Sequence, residues 1–346
     1  MSPQSDLQII DPLNFPGWDD LVLSADNYSF FHTSAWIRVL CESYGYSPSF
    51  FALSRDGKLS IVIPLLEVKS FFTGRRAVSL PFSDYSEPVV FDGSSLSGLP
   101  GSLIDTAKKK GWKYLDFRGG SFFPPGIPSW SRYLHHSLEL SNPEDLLSKF
   151  HKNTVRNLKK AKASGLSVGV FDSFDAIRQY YRLHCQTRKR QGAPPQPFSF
   201  FKKIFEHVCS KGHGQVVLAH YNDKPVAGAV FFHFGRKAMY KYGALDMNYA
   251  TLGASTAVMW EAMSGYAALG YQAFCFGRTD LGNEGLRRFK LGFGPDEYLL
   301  DYRRFDVLKG AFVGGNEKNR LPLSRFIKHF PIPGLKMIGL TYRHFG

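Results

Sequence analysis

Cysteine is scarce and unpatterned in this chain: Cys41, Cys185, Cys209 and Cys275 are the only four in 346 residues, and none stands at metal-ligand spacing from another. Neither a disulfide framework nor a metal site is expected. Long apolar runs are lacking too, so no segment is expected to span a bilayer. The start, Met1-Ser2-Pro3-Gln4-Ser5-Asp6, has no basic stretch followed by an apolar run, and the expectation is a cytoplasmic protein. Acids are in deficit: 29 Asp and Glu stand against 43 Lys and Arg, for a formal net charge of +14. That excess implies an anionic partner such as a nucleic acid, a phosphorylated metabolite or a membrane surface, without choosing among them.

What is present fits a globular protein. Hydrophobic residues at 44% and charged residues at 21% argue against disorder, and 346 residues suit two domains of ordinary size. The order of elements also runs twice, at an offset of about 160 to 170 residues, too long a period for a short-repeat solenoid. Phe50-Phe51-Ala52-Leu53, the turn Asp56-Gly57-Lys58 and Leu59-Ser60-Ile61-Val62-Ile63 correspond to Val216-Val217-Leu218-Ala219, the turn Asn222-Asp223-Lys224 and Val226 to Phe231. Gly111-Trp112-Lys113-Tyr114-Leu115-Asp116-Phe117 is echoed by Gly270-Tyr271-Gln272-Ala273-Phe274-Cys275-Phe276. Each half reads as helices, a meander of strands, one more helix and a further strand. That predicts an α+β fold and excludes a doubly wound nucleotide-binding sheet.

The expected domains are 1–140 and 141–306, followed by a basic, apolar tail at 307–346. Ser141 or Asn142 can cap a helix whose first turn holds Pro143, Glu144 and Asp145, and Gly165 can end it. Along it Leu147, Thr154, Leu158 and Ala161 recur at helical spacing, beside a stripe of Lys149, Lys152, Arg156, Lys159 and Lys160. The strand Lys237 to Ala244 is expected to carry Tyr240 and Tyr242 on one face. In the tail, seven basic residues from Lys309 to Arg343 face the single acid Glu317. A tail of this kind can meet an anionic membrane, although Pro331 and Pro333 argue against one continuous helix.

Three segments can carry chemistry. The densest is Gly277 to Gly294, where glycines let the backbone approach a ligand and Arg278 and Lys290 supply charge at the two ends, suited to an anionic oxygen. The second is Leu80-Pro81-Phe82-Ser83-Asp84-Tyr85, in which Asp84 can accept a proton or cap a turn. The third is Thr187-Arg188-Lys189-Arg190-Gln191-Gly192, whose cations suit a ligand or the helix's own C-terminal dipole.

Taken together, Lys152 to Ala161 with Gly165-Leu166-Ser167-Val168, Thr187 to Gly192, Tyr240-Lys241-Tyr242-Gly243-Ala244, Gly277-Arg278 and Gly285 to Gly294 resemble the Fem family, which builds peptidoglycan interpeptide bridges. Trp36, Gly57-Lys58, Ile63-Pro64-Leu65 and Leu80-Pro81-Phe82 resemble the same superfamily, so the likeness covers residues 30–305. The resemblance implies two tandem GNAT-like acyltransferase domains, each a twisted mixed sheet flanked by helices. It implies transfer of an aminoacyl or acyl group to an amine on a phosphate-bearing cell-envelope precursor. Lys290 then corresponds to the family's lysine that steadies phosphate or the developing oxyanion, and its loss is expected to leave folding intact. The base is left open among Asp84, Asp280 and the substrate's own phosphate. Arg156, Arg188, Arg190, Tyr240, Tyr242, Arg278, Asp280, Asn283 and Tyr85 are the expected substrate contacts.

No resident cofactor is expected. Aminoacyl-tRNA is the donor the resemblance implies, yet no heptad-patterned insertion interrupts Gly165 to Phe198, so tRNA binding rests on the basic stripe. Acyl-coenzyme A is less favoured because Ala250-Thr251-Leu252-Gly253-Ala254-Ser255 lacks the lead residue of a pyrophosphate turn. Two alternatives stand beside this reading. One is an acyl-CoA or acyl-carrier-protein N-acyltransferase in exopolysaccharide or amino-sugar modification. The other is a non-catalytic basic module for nucleic acid or a membrane, at the inner face of which the chain would sit peripherally.

Overall fold

The computed structural model describes residues 6–55, 57–93, 99–120, 122–315 and 327–344. Asp56 of the first expected turn and residues 316–326 of the expected tail lie outside them. The chain divides into two compact units. Residues 1–133, 299–320 and 341–346 make the first, and residues 134–298 and 321–340 the second. The boundary read near residue 141 thus falls inside the second unit, and the stretch read as a tail is divided between the two.

In chain order the first unit holds β1 (Asp6–Ile10), α1 (Trp18–Leu23), α2 (Ser34–Tyr44), β2 (Ser47–Pro48), β3 (Phe50–Arg55), β4 (Lys58–Ile63), β5 (Leu66–Ser70), β6 (Gly74–Val78), β7 (Val89–Val90), α3 (Gly101–Lys109) and β8 (Tyr114–Arg118). The chain passes along β9 (Ser131–Glu139) into the second unit. There follow α4 (Pro143–Lys149), α5 (Lys152–Ala163), β10 (Ser167–Phe171), α6 (Phe174–Arg190), α7 (Phe198–His207), β11 (Gly214–Tyr221), β12 (Lys224–Phe234), β13 (Lys237–Leu245), α8 (Ala254–Ala268), β14 (Ala273–Asp280) and α9 (Glu284–Leu291). It returns along β15 (Asp296–Asp306) to β16 (Ala311–Phe312), and α10 (Ile332–Gly339) belongs to the second unit.

The first unit has sheets ordered β1-β3-β4-β7 and β15-β8-β6-β5-β2, and the second has β10-β11-β12-β13-β14-β9. The repeat in the sequence is a repeat of architecture. In the first unit β6 and β8 pair in parallel, Ala77 opposite Leu115 and Val78 opposite Asp116, with α3 between them in the chain. In the second β13 and β14 pair in parallel, Lys237 opposite Ala273, with α8 between them. Helices separate β1 from β3 just as α6 and α7 separate β10 from β11, and β4 with β5 takes the place of β12. The fold is α+β with two tandem GNAT-like units. Each unit's closing strand comes from the other repeat's stretch of chain, β15 beside β8 and β9 beside β14, so one cut cannot divide them.

Two local expectations need correction. Asn142 does cap α4, accepting from the Asp145 amide at 2.9 Å, with Pro143 in the first turn. The helix nevertheless ends at Lys149, because Phe150 is extended and the His151 amide donates to Gly292 O at 2.9 Å, which lets a second helix start at Lys152. In β13 the register against β12 slips: Val230 faces Tyr242 and Phe231 faces Tyr240, leaving Lys241 as the extra residue of a bulge. Tyr240 and Tyr242 therefore pack on different neighbours. Tyr240 lies against Phe231 in the core built around α8, whereas Tyr242 meets Phe200 and Phe201 of α7.

The core of the second unit joins Phe231, Phe274, Phe276 and Phe293 to Val258, Met259, Ala262, Met263 and Tyr266 of α8. A fully buried side chain of this size contributes about 1.5–3 kcal/mol, so the sheet and α8 hold each other rigidly. Ile61, Ile63, Trp112, Leu115 and Phe117 centre the core of the first unit.

Candidate active site

The second unit contains a pocket of about 550 Å³ where β13 and β14 part. The two strands pair at Lys237 to Met239 with Ala273 to Cys275, after which β13 continues to Leu245 and β14 to Asp280. Gly228 and Ala229 of β12 and Tyr240, Gly243 and Ala244 of β13 line the gap. Gly243 is required there, since a Cβ at that position would overlap the Tyr240 hydroxyl. Burial pushes the Tyr240 phenol up to about 12, so it stays protonated at neutral pH.

The C-terminal end of α6 closes one side. The buried Thr187 hydroxyl accepts from the Leu245 amide at 3.1 Å, and Arg190 donates to the Leu245 carbonyl at 3.0 Å. These bonds fasten α6 to the last residue of β13 and set the guanidinium at the rim. Arg190 is the one charged side chain among the described lining residues.

Opposite stands the start of α8. A short turn, Met247–Leu252, leads into Gly253, whose φ of 74° is left-handed and whose missing side chain leaves room for the Asn157 carbonyl of α5. No side chain caps this helix; the Thr256 and Ala257 amides donate to Gly253 O, both at 3.0 Å, and the amides of Ala254 and Ser255, which precede them, carry the positive end of the helix dipole. Gly253, Ser255 and Thr256 line the pocket, as do Asn283, Leu286 and Phe289 at α9. Asn283 spends its side-chain oxygen on capping α9, accepting from Leu286 at 3.2 Å. The cavity thus combines an apolar wall with a cation, uncapped amides and a protonated phenol.

Lys290 takes a different position. Its ammonium is buried beneath β14 and donates to the carbonyls of Gly277 and Arg278, both at 2.9 Å. Beside it, Glu297 accepts a bidentate pair from Arg287 at 2.9 and 2.8 Å and meets His136 Nε2 at 3.0 Å. Burial lowers the pKa of His136, and the charge of Lys290 lowers it further. The Nδ1 atom of that imidazole has no partner among the described residues.

Of the residues expected to bind substrate, the pocket gathers Arg190, Tyr240 and Asn283. Arg156 is exposed on α5, and Asp280 is exposed at the end of β14. Arg188 donates to Pro194 O and to Gln191 Oε1, both at 3.3 Å, and Arg278 is half-buried on β14. None of these four, nor Tyr242 or Lys290, is among the lining residues. Asp84 and Tyr85 belong to the first unit, in a loop where Leu80 and Phe82 take left-handed φ values of 47° and 62°. Trp36 holds that loop by donating to Ser83 Oγ at 3.0 Å, and the Tyr302 hydroxyl donates to Asp84 O at 2.6 Å. Sequence reasoning passed over Asn157 and Thr256, and weighed Ser255 only as the end of a pyrophosphate turn. The available signal was Gly253 directly before an apolar helix with no acid in its first turn.

Residues 148–298, which contain this pocket, match the acetyltransferase (GNAT) domain family. No curated protein matches the chain in sequence. Among solved structures, the fold is similar to that of FemX, with a TM-score of 0.65 at 16% identity over 94% of this chain and 100% of FemX. L-PGS from Bacillus licheniformis gives 0.51 at 15% identity, covering 89% of this chain and 97% of its own. A tandem GNAT protein from the clavulanic acid biosynthesis pathway gives 0.55 at 8% identity, covering 88% and 99%. The pocket is thus set at the parting strands of the acetyltransferase (GNAT) domain matched by residues 148–298, and the chain is an acyltransferase.

Proposed function

We propose that the chain transfers an aminoacyl group from an ester donor to an amine of a phosphate-bearing cell-envelope precursor. The observation that carries this reading is the pocket itself, where the uncapped start of α8, Arg190 and the protonated Tyr240 share one cavity at the parting of β13 and β14. Helix-end amides and a guanidinium suit a phosphate group. In the reaction the amine nitrogen attacks the donor carbonyl, a C–N bond forms and the ester C–O bond breaks. The nitrogen sheds a proton and the leaving oxygen gains one. Tyr240, neutral far above physiological pH, supplies that proton, and the proton shed by the nitrogen restores the phenol. Lys290 acts in this scheme on the carbonyls of Gly277 and Arg278, fixing the end of β14 and adding positive potential where the oxyanion develops.

A second reading is supported by one feature. Gly253 at the start of α8 gives a phosphate-facing turn that also suits the diphosphate of an acyl-coenzyme A, in which case the bond broken is C–S. The two are separated by presenting the purified chain with charged tRNA or with acyl-coenzyme A, alongside a nucleotide-linked peptide precursor that bears a free amine. Transfer of the amino acid supports the first reading. Transfer only from the thioester replaces it with the second, and no transfer from either removes both.

A further inference from the structure

A second surface of the same unit has a chemistry that acyl transfer does not use. Helix α10 is apolar on both sides. Leu335 and Gly339 face inward, and Gly339 lies so close to the Pro195 carbonyl that no side chain would fit. On the outward side Met337 is 72% exposed, Leu340 at its end 59% and Ile338 38%. Pro331 and Pro333 do not prevent this helix; they stand at its start, where a missing amide proton costs nothing. A helix with apolar residues all round is ordinarily covered on every side, and here one side faces outward.

The surroundings of that face select its cover. Between α10 and α6 runs a groove of about 480 Å³, floored by Tyr181, Pro197 and Phe198. Among the described residues its charged lining is Arg178, Arg182 and Lys336, with no acid. Arg178 and Arg182 stand one helical turn apart on α6 and both are exposed, while Lys336 lies 5.3 Å from the Tyr181 ring centroid. Asp175, the acid nearest to them along α6, accepts from Gln179 at 2.7 Å. The sequence contains no Asp or Glu after Glu317. We infer that α10 and the adjoining face of α6 form a membrane-docking surface, in which Met337, Ile338 and Leu340 enter the interface of an anionic bilayer while Arg178, Arg182 and Lys336 meet lipid phosphates. A soluble phosphate ester would satisfy the cations and leave the apolar face of α10 in water; a lipid surface answers both.

Co-sedimentation of the full chain with vesicles tests this assignment. Vesicles containing phosphatidylglycerol should carry the protein down at low salt, vesicles of phosphatidylcholine alone should bind far less, and added salt should release it. Arg178→Gln and Arg182→Gln should each lower partitioning about fivefold, and the pair Met337→Asp with Leu340→Asp should abolish it while circular dichroism and melting temperature stay unchanged. Failure of the native chain to bind anionic vesicles overturns the inference, as does binding that survives both sets of replacements. If the arginine variants lose affinity for free glycerol phosphate while vesicle binding is unaltered, the groove serves a soluble ligand and the membrane assignment is wrong. Because the readout is binding, it stands apart from any result on acyl transfer.

Discussion

The hydroxyl of Tyr240 lies against the α-carbon of Gly243 on the same strand, in the space a β-carbon would fill. The phenol is therefore placed by an absence of atoms. Gly243→Ala must rotate the ring or shift the strand, at a cost of about 1–3 kcal/mol, and misplacing a reacting group by an ångström lowers turnover by about a hundredfold. The expected outcome is a folded protein with modestly reduced melting temperature and a much larger loss in kcat than in substrate affinity, measured by steady-state kinetics beside thermal unfolding.

Tyr240→Phe separates proton donation from packing. If the phenol protonates the leaving group, its removal should lower kcat by about 10²–10⁴ with little change in KM. The raised pKa also fixes a direction for stability. An ordinary phenol with pKa 10.0 ionises in the unfolded chain before the buried one does at about 12, so the native state loses stability as pH climbs through that window. Tyr240→Phe should lack this loss in urea titrations above pH 10. Equal alkaline sensitivity of the two proteins would show that the ring is not the titrating group.

Legibility in the sequence followed how local each signal is. The hairpin at Asn222-Asp223 was readable because both residues tolerate the positive φ values, 48° and 59°, that a tight two-residue turn demands. Gly165, at φ 75°, marked a helix end for the same reason. The break at Phe150 was not readable, since its cause is the carbonyl of Gly292, far along the chain. Nor was the bulge at Lys241, which exists only in the pairing of β13 with β12 and sends the two tyrosines apart. In the pocket, Arg190 and Asn283 stood in segments already dense in polar groups. Asn157 and Thr256 looked like ordinary helix residues until α5 and α8 were brought together. The buried His136, tied to Glu297 across 161 positions, carried no local mark at all.

His184 supplies an acid-side prediction. It is fully buried, donates from Nε2 to Gln196 Oε1 at 2.8 Å, and burial lowers its pKa from 6.5 to about 3, with Arg188 adding to the effect. Below pH 6.5 the unfolded chain takes up a proton there that the folded chain refuses until about pH 3. Stability from this group is complete above pH 6.5 and falls across the window by about 1.4 kcal/mol per unit. His184→Gln keeps a partner for Gln196 and should flatten that part of the curve, as read by denaturant midpoints at stepped pH.

Arg190 should matter for affinity. Its guanidinium is anchored to Leu245 O and is the cation among the described lining residues. Arg190→Gln removes a charged hydrogen bond to an anionic donor worth about 1.5–3 kcal/mol, which raises KM for the donor about tenfold to a hundredfold. Melting temperature should change little, because the side chain is exposed and Thr187 still holds Leu245. An unchanged KM would place the donor phosphate elsewhere.

Burial revises what replacement of Lys290 should do. A lysine at the mouth of a cleft could be exchanged for Met without harm to folding, but this ammonium is 1% exposed and bonds two backbone carbonyls of β14. Lys290→Met leaves the Gly277 and Arg278 carbonyls without that donor, at a cost of about 1–3 kcal/mol, so thermal stability and turnover should fall together. It also removes a positive charge that lowers the pKa of His136, whose value should then rise. Nuclear magnetic resonance of the imidazole titration distinguishes the two effects. Lys290→Arg keeps the charge and should keep the His136 shift even where the altered shape costs stability. If turnover follows charge across Met, Arg and Lys, the ammonium works on the developing oxyanion; if it follows melting temperature alone, Lys290 only braces the end of β14.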